Sequence, residues 1–96
     1  MVCVAVTYVI KPGHEDEAVA LFGPMTGPTR AEPGCRMYLA HRSMTEPRKF
    51  FLYEQYDSAE ALEAHRASAH FARYATGGLF PILESRTPEL FEPLAD

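Results

Sequence analysis

The chain of 96 residues has room for one domain, and its composition already argues against several classes of function. Hydrophobic residues make up 47% and aromatic residues 11% of the chain, which is rich for a domain that buries only about 60–65% of its unfolded surface. The formal net charge is −4 and no run of Lys or Arg is present, so the basic stripe that nucleic acids and anionic membranes require is missing. We therefore expect no nucleic-acid or membrane partner, and a homodimer that covers the excess apolar surface.

The cysteines and the apolar first residues predict a cytoplasmic protein. Cys3 and Cys35 show neither CxxC spacing nor a His/Cys zinc pattern. Two free thiols in a reducing compartment are the preferred interpretation, with a disulfide between them as the alternative. The apolar run 1–10 is too short to span a bilayer and lacks the basic flank of a signal peptide.

The first third of the chain predicts a strand followed by an interrupted helix. Residues 2–10 are apolar on both faces, which is typical of a strand covered on both sides. A turn at 11–13 precedes a helix that opens at His14 with three acidic residues in its first turn. Because a proline inside a helix removes a hydrogen bond, we expect a kink or break at Gly23-Pro24, with a second piece reaching about Ala31.

The remaining residues predict two strands, two or three short helices and a closing strand. Alternation over 35–42 and the aromatic-rich run 49–56 indicate strands joined by a polar hairpin. Asp57 or Ser58 is a candidate cap for a helix ending near Ala67, and Ser68 for another reaching about Tyr74. Gly77-Gly78 is interpreted as a break before one further helical turn, and residues 87–93 as a short edge strand.

This order of elements predicts a single α+β domain over residues 1–96. It is the split βαβ, ferredoxin-like arrangement, in which helices cover one face of an antiparallel four-stranded sheet. The other face still carries large apolar side chains, and pairing it with the sheet of a second copy would form a dimeric α/β barrel.

Several segments together resemble the antibiotic biosynthesis monooxygenase (ABM) domain family. They are Lys11-Pro12-Gly13, Arg30 to Cys35, Leu52-Tyr53-Glu54-Gln55-Tyr56-Asp57-Ser58, Ala61 to His65, Ser68-Ala69-His70-Phe71, and Thr87-Pro88-Glu89-Leu90. The resemblance implies the same dimeric fold and a choice among quinol or phenol oxidation, haem degradation and isomerisation. The absence of Trp argues against haem degradation, since that branch of the family relies on a pocket Trp.

The resemblance and the helical spacing together select His65, His70 and Glu54 as candidate catalytic residues. His65 shares a helix face with Ala61 and Leu62, so it points inward and is placed to accept a phenol proton. His70 is expected at the pocket edge or as a helix cap. Glu54 is expected either to orient His65 or to pair with an arginine across the dimer interface, and a core histidine bonded to Glu54 or a carbonyl is the structural alternative.

Aromatic residues are expected to shape a flat substrate slot around these groups. The candidates are Tyr38, Tyr53, Phe71, Tyr74 and Phe80. Arg42 and Arg86 are considered for an anionic substrate, with surface salt bridges as the default. The two histidines alone suggest a metal, but no third ligand has useful spacing, so no metal site is predicted.

The sequence-based hypothesis is a monooxygenase that oxidises a quinol or polycyclic phenol to a quinone with O₂ and no cofactor. No Gly-rich phosphate cradle is present, and the chain is too short for a dinucleotide-binding unit. A deprotonated, electron-rich arene reduces oxygen itself, so a dry slot, a base and hydrogen bonds to the oxyanion suffice. Two alternatives stay open: an isomerase that uses both histidines, and a non-catalytic ligand-binding module.

Overall fold

A computed structural model describes residues 1–95 and places four antiparallel strands in one sheet, in the order β2-β3-β1-β4. The elements along the chain are β1 (Val2–Ile10), α1 (Glu15–Arg30), β2 (Cys35–Arg42), β3 (Lys49–Tyr56), α2 (Ala59–Arg66), a third helical segment (Phe71–Leu79, followed by a 3₁₀ turn at Phe80–Ile82) and β4 (Leu83–Phe91). This is the predicted ferredoxin-like α+β fold. The bounds of β1, β2 and β3 are confirmed at both ends.

The central strand β1 divides the sheet into a helix-covered face and an open face. Val6 lies opposite Leu52 of β3, and both are almost fully buried beneath the helices. The alternation of β1 turns Ala5 and Thr7 to the open face, where they are only partly covered within one chain. The core therefore lies between the sheet and one layer of helices.

Helix α1 is continuous through Pro24 and Pro28, so the predicted break is absent. Both prolines lie on the exposed side of the helix, and the carbonyls that lose a partner face solvent there. The opposite side is held by buried contacts of Phe22 and Met25 with the core. The Thr26 hydroxyl also donates to the carbonyl of Phe22 at 3.0 Å, next to the interruption.

The third helical segment continues through Gly77-Gly78, so the predicted break there is also wrong. A Cβ at Gly78 would lie 2.7 Å from a methyl group of Leu21. Glycine at this position therefore allows close approach to α1 rather than marking flexibility. The caps are confirmed: Ser58 accepts from the backbone N–H of Ala61, and Ser68 accepts from that of Phe71, both at 3.2 Å.

The closing strand is longer than predicted and begins earlier. It spans Leu83–Phe91 rather than 87–93, and its pairing with β1 places it at the sheet edge, as expected. Large apolar side chains stay exposed on the open face of the sheet, and they are Met37, Leu39, Phe51 and Phe91. Within residues 1–95 no helix combines the length and apolar character needed to cross a bilayer.

Candidate active site

A chain of buried and partly buried polar side chains lies within the otherwise apolar core on the helix-covered face. Its members are Tyr56, Glu54, His65, Glu32 and His70, and we call it the buried polar chain. Glu54 and His65 are only 4% and 2% exposed, so both are shielded from solvent. A buried titratable cluster of this kind is a candidate functional site.

Local structure explains why these residues converge. In β3 the alternation that buries Leu52 and Tyr56 also turns Glu54 beneath the helices. In α2, whose start is set by the Ser58 cap, Leu62 and His65 share the buried side. Glu32 follows the end of α1, and His70 immediately precedes the third helical segment.

Along the buried polar chain, each carboxylate lies between two side chains that can donate a hydrogen bond. The Tyr56 hydroxyl donates to Glu54 Oε1 at 2.5 Å. Glu54 Oε1 lies 3.6 Å from His65 Nε2, which is close for a charge pair and long for a hydrogen bond. On the other side of the ring, His65 Nδ1 lies 2.9 Å from Glu32 Oε2, which also contacts His70 Nε2 at 2.5 Å.

Burial controls the protonation of the acids in this region. Desolvation raises the pKa of Glu54, opposed by the Tyr56 hydrogen bond and the nearby positive charges. Burial also raises the pKa values of Tyr38 and Tyr56 far above the usual range for a phenol, so both hydroxyls stay neutral donors. The Tyr38 hydroxyl has no hydrogen-bond partner among residues 1–95.

A small cavity borders both His65 and Glu54, the carboxylate that lies 3.6 Å from His65 Nε2. The rest of its lining combines apolar side chains of β1, α1, β3 and α2 with Tyr8, Arg66, Phe71 and Arg86. About 10 Å³ is open to the centre of a water molecule, roughly enough for one water. A polycyclic phenol therefore requires the lining to move, and the third helical segment contributes Phe71 to that lining.

Two arginines line this cavity: Arg66, which pairs with Glu63 at 3.1 Å, and Arg86, which forms no salt bridge among residues 1–95. The Arg86 guanidinium lies 5.6 Å from the ring centre of Tyr8 and 5.3 Å from that of Phe80. Its Nε is buried without an acceptor among residues 1–95. Arg42, the other arginine considered, lies over Phe50 and donates to the carbonyl of Pro47, away from this cavity.

The predicted aromatic residues divide into two groups. Phe71 lies edge-on to His65 with ring centres 5.3 Å apart, Tyr38 lies 5.9 Å from His65, and Phe80 contacts Phe71. Tyr53 is on the open face, because it is adjacent to Glu54 in the strand, and its hydroxyl accepts from Gln55. Tyr74 is half-buried beneath Arg73 and does not line the cavity.

Glu32 is the member of the site that sequence reasoning missed. It lies in the short segment between α1 and β2, and 33 residues separate it from His65. No local spacing links such residues, since α2 and this turn meet only in the folded chain. Gly34 permits that meeting, because a Cβ there would lie 2.4 Å from the Cβ of Ala61 in α2.

The sequence model of the family described as "Antibiotic biosynthesis monooxygenase" matches residues 1–77. The chain belongs to this family. Rv0793 from Mycobacterium tuberculosis is 37% identical over 73 residues, which are 76% of this chain and 71% of that protein. An uncharacterised Synechocystis protein, sll1783, is 30% identical over 73 residues, and the match spans half of its length.

Two solved structures share the whole fold. PA3566 from Pseudomonas aeruginosa superimposes with a TM-score of 0.92 at 28% identity, over 98% of this chain and 94% of that one. The structure of Rv0793 gives 0.90 at 31% identity, over 99% and 96%. The family match ends before β4, whereas these superpositions include nearly all of the chain, so the edge strand that carries Arg86 is part of the common fold.

Proposed function

We propose that this protein is a cofactor-independent monooxygenase that oxidises a quinol or polycyclic phenol to a quinone. The observation that carries the proposal is the position of His65, which has the Glu32 carboxylate at Nδ1 and lines a cavity together with Glu54 and Arg86. A carboxylate that orients an imidazole leaves the opposite nitrogen available as a base. Membership of the ABM family supports the same class of reaction.

In this proposal His65 Nε2 removes the phenolic proton, and Arg86 stabilises the anion that forms. A guanidinium has no lower-charge state to adopt at neutral pH, so it favours the phenolate throughout the reaction. Its unpaired Nε is a donor available to the substrate oxygen. Glu32 orients His65, while Glu54 and His70 complete the polar surroundings that we expect to assist catalysis.

The chemistry balances without a redox cofactor. A phenol with a free para C–H and one O₂ form a para-quinone and one water. One oxygen atom enters the ring and the other leaves as water with the phenolic and the para hydrogen. The arene supplies the electrons, so the protein has to remove a proton, stabilise an oxyanion and exclude solvent.

The third helical segment is suited to open the cavity for an aromatic substrate. Its i→i+5 hydrogen bonding is uncommon and is often found at functional sites. It places Phe71 beside His65 and leads into Phe80 beside Arg86. Outward movement of this segment would expose both rings to the substrate together with the base and the cation.

We also propose that a second copy of the chain covers the open face of the sheet, forming a dimeric barrel. Met37, Leu39, Phe51 and Phe91 are 39–49% exposed on that face within one chain. Apolar groups of this size on one sheet face are typical of an interaction surface. A symmetric dimer would bury them, because the open face of one copy would pack against the same face of the other.

Oxygen uptake by chelator-treated protein with a panel of hydroquinones and polycyclic phenols tests the proposal. We expect uptake above the autoxidation background, and a decrease of about 100-fold in His65→Ala, as for loss of a positioned base. His14→Ala is the matched control, because it removes an exposed His–Glu pair (His14 with Glu17, 3.2 Å) outside the site. Equal uptake in both variants, or none in the wild type, would overturn the proposal.

The same panel separates the alternatives. Conversion of substrate under nitrogen, with no oxygen consumed, would favour an isomerase that uses both histidines. Ligand binding without conversion, unchanged in His65→Ala, would favour a non-catalytic binding module.

A further inference from the structure

On the Nδ1 side of His65, two imidazoles meet one carboxylate oxygen, which is more than the orientation of a single base requires. Glu32, His65 and His70 each offer one ligand atom, and these atoms all lie within 4.8 Å of one another. Glu32 and His70 are not among the residues that line the cavity. One oxygen of Glu32 contacts both imidazoles, while the other, Oε1, is buried without a hydrogen-bond partner among residues 1–95.

We propose that Glu32, His65 and His70 form a binding site for a divalent transition-metal ion such as Zn²⁺, with His65 coordinating through Nδ1 and His70 through Nε2. Two imidazoles and one carboxylate are a ligand set that zinc accepts, leaving a fourth position open. Two of the three ligand atoms are imidazole nitrogens, whereas Mg²⁺ and Ca²⁺ prefer oxygen ligands, so the set favours a transition metal over these ions.

The geometry requires only a small rearrangement. Metal–ligand bonds of about 2.0–2.1 Å place the ligands of a tetrahedral ion roughly 3.3–3.4 Å apart. The contacts of Glu32 with His65 and His70 are 2.9 and 2.5 Å. An ion would replace the protons that bridge these pairs and spread the ligand atoms by roughly half to one ångström.

Glu54 supplies the outer support that metal-binding histidines usually have. When an ion binds Nδ1, the His65 proton lies on Nε2, and Glu54 Oε1 is the nearest acid at 3.6 Å. A carboxylate that accepts from the far nitrogen of a ligating histidine holds its orientation and strengthens binding. Entry is from the side of His70 and Glu32, whose side chains are 18% and 16% exposed, against 3% for His65.

Occupancy has a consequence for His65. An ion on Nδ1 keeps the proton on Nε2, so the nitrogen proposed as the base becomes a donor. Zn²⁺ would then inhibit the oxygen uptake described above. This consequence rests on the proposed function, whereas the binding of the ion does not.

Calorimetric titration of chelator-treated protein with Zn²⁺ tests the site. We expect one ion per chain in the wild type, affinity lowered at least about 100-fold in Glu32→Gln and His70→Gln, and no change in His14→Ala. Thermal unfolding of each variant without metal reports whether it is folded. Absence of binding in the wild type, or equal affinity in all variants, would overturn the proposal, and loss only in His14→Ala would identify an adventitious surface ion.

Nitrogen NMR of the histidine rings in the wild type gives a readout that needs no variant. Zn²⁺ should shift the signals of His65 Nδ1 and His70 Nε2 and leave those of His14 and His41 unchanged. Shifts confined to His14 and His41 would contradict the site. A wild type that binds Zn²⁺ in this way but consumes no oxygen would overturn the oxidation and leave the metal site intact.

Discussion

The two faces of the sheet depart from those of an ordinary small domain in opposite ways. The helix-covered face buries Glu54 and His65, which are costly to remove from water unless they are paired. The open face leaves Leu39 and Phe51 exposed, although their burial would be favourable. The covered face therefore carries a polar arrangement that is suited to chemistry, and the open face carries an apolar surface that is suited to assembly.

Strand β3 contributes to both faces of the sheet. Its residues Leu52, Glu54 and Tyr56 point beneath the helices, and the residues between them point to the open face. A substitution in β3 is therefore expected to affect either the site or the assembly, according to whether its position is even or odd.

The largest effect is expected from removing apolar volume on the covered face. Leu52 is 3% exposed, so Leu52→Ala leaves a cavity and should lower the free energy of unfolding by about 2–5 kcal/mol. Leu39→Ala, on the open face, should cost less than about 1 kcal/mol in protein diluted to the monomer. Urea unfolding of both variants measures the contrast, and equal costs would remove the distinction between the two faces.

The next effect concerns assembly. Leu39→Glu places a charge on the open face and should weaken dimerisation at least about 100-fold, because the charge buried in the dimer has no partner. Met44→Glu is the control, since Met44 is fully exposed in the hairpin loop. Analytical ultracentrifugation distinguishes the outcomes, and a wild type that sediments as a monomer would refute the dimer.

The strands and caps could be predicted from sequence because their signals are local. Strand β1 ends at the turn that contains Gly13, the one described residue with a positive φ, +88°, which glycine adopts without strain. The caps at Ser58 and Ser68 depend on side chains that bond within three residues. Inward placement of His65 also followed from helical spacing alone.

The errors arose where distant contacts decide the structure. Pro24 and Gly78 are local breakers, but packing of α1 on the core and of Gly78 on Leu21 outweighs their local preference. Glu32 joins the site only through tertiary contact, so sequence spacing could not reveal it. Tyr53 is different: its position next to Glu54 in a strand already implied opposite faces.

Gly34→Ala tests the contact that brings Glu32 to His65. The new Cβ would meet the Ala61 side chain at 2.4 Å, so α2 must shift, at a cost of about 1–3 kcal/mol. Gly27→Ala is the matched control, because its Cβ would meet nothing within 4 Å, and in a helix it should stabilise by about 0.5–1 kcal/mol. Thermal unfolding measures both.

A compensating change sharpens this result. Ala61→Gly removes the clashing methyl, so in the Gly34→Ala background it should cost less than in the wild type, with a coupling of about 1–2 kcal/mol. Purely additive effects in this double-mutant cycle would show that the cost of Gly34→Ala does not come from its contact with Ala61.

The smallest effect is the pH dependence that Glu54 gives to stability. Because burial raises the pKa of Glu54, the folded chain retains a proton that the unfolded chain releases. The stabilisation from this group is complete below the unfolded pKa, near 4.3, and is lost as the pH rises through the folded value.

Glu54→Gln keeps an acceptor for the Tyr56 hydroxyl but cannot ionise. The wild type should therefore lose stability relative to this variant as the pH rises from 4 to 8, measured as the difference in Tm. Glu46→Gln in the exposed hairpin loop is the control. A Tm difference that is constant with pH, or that changes in the opposite direction, would contradict a raised pKa for Glu54. It would show instead that Arg86 and His65 stabilise the charged carboxylate.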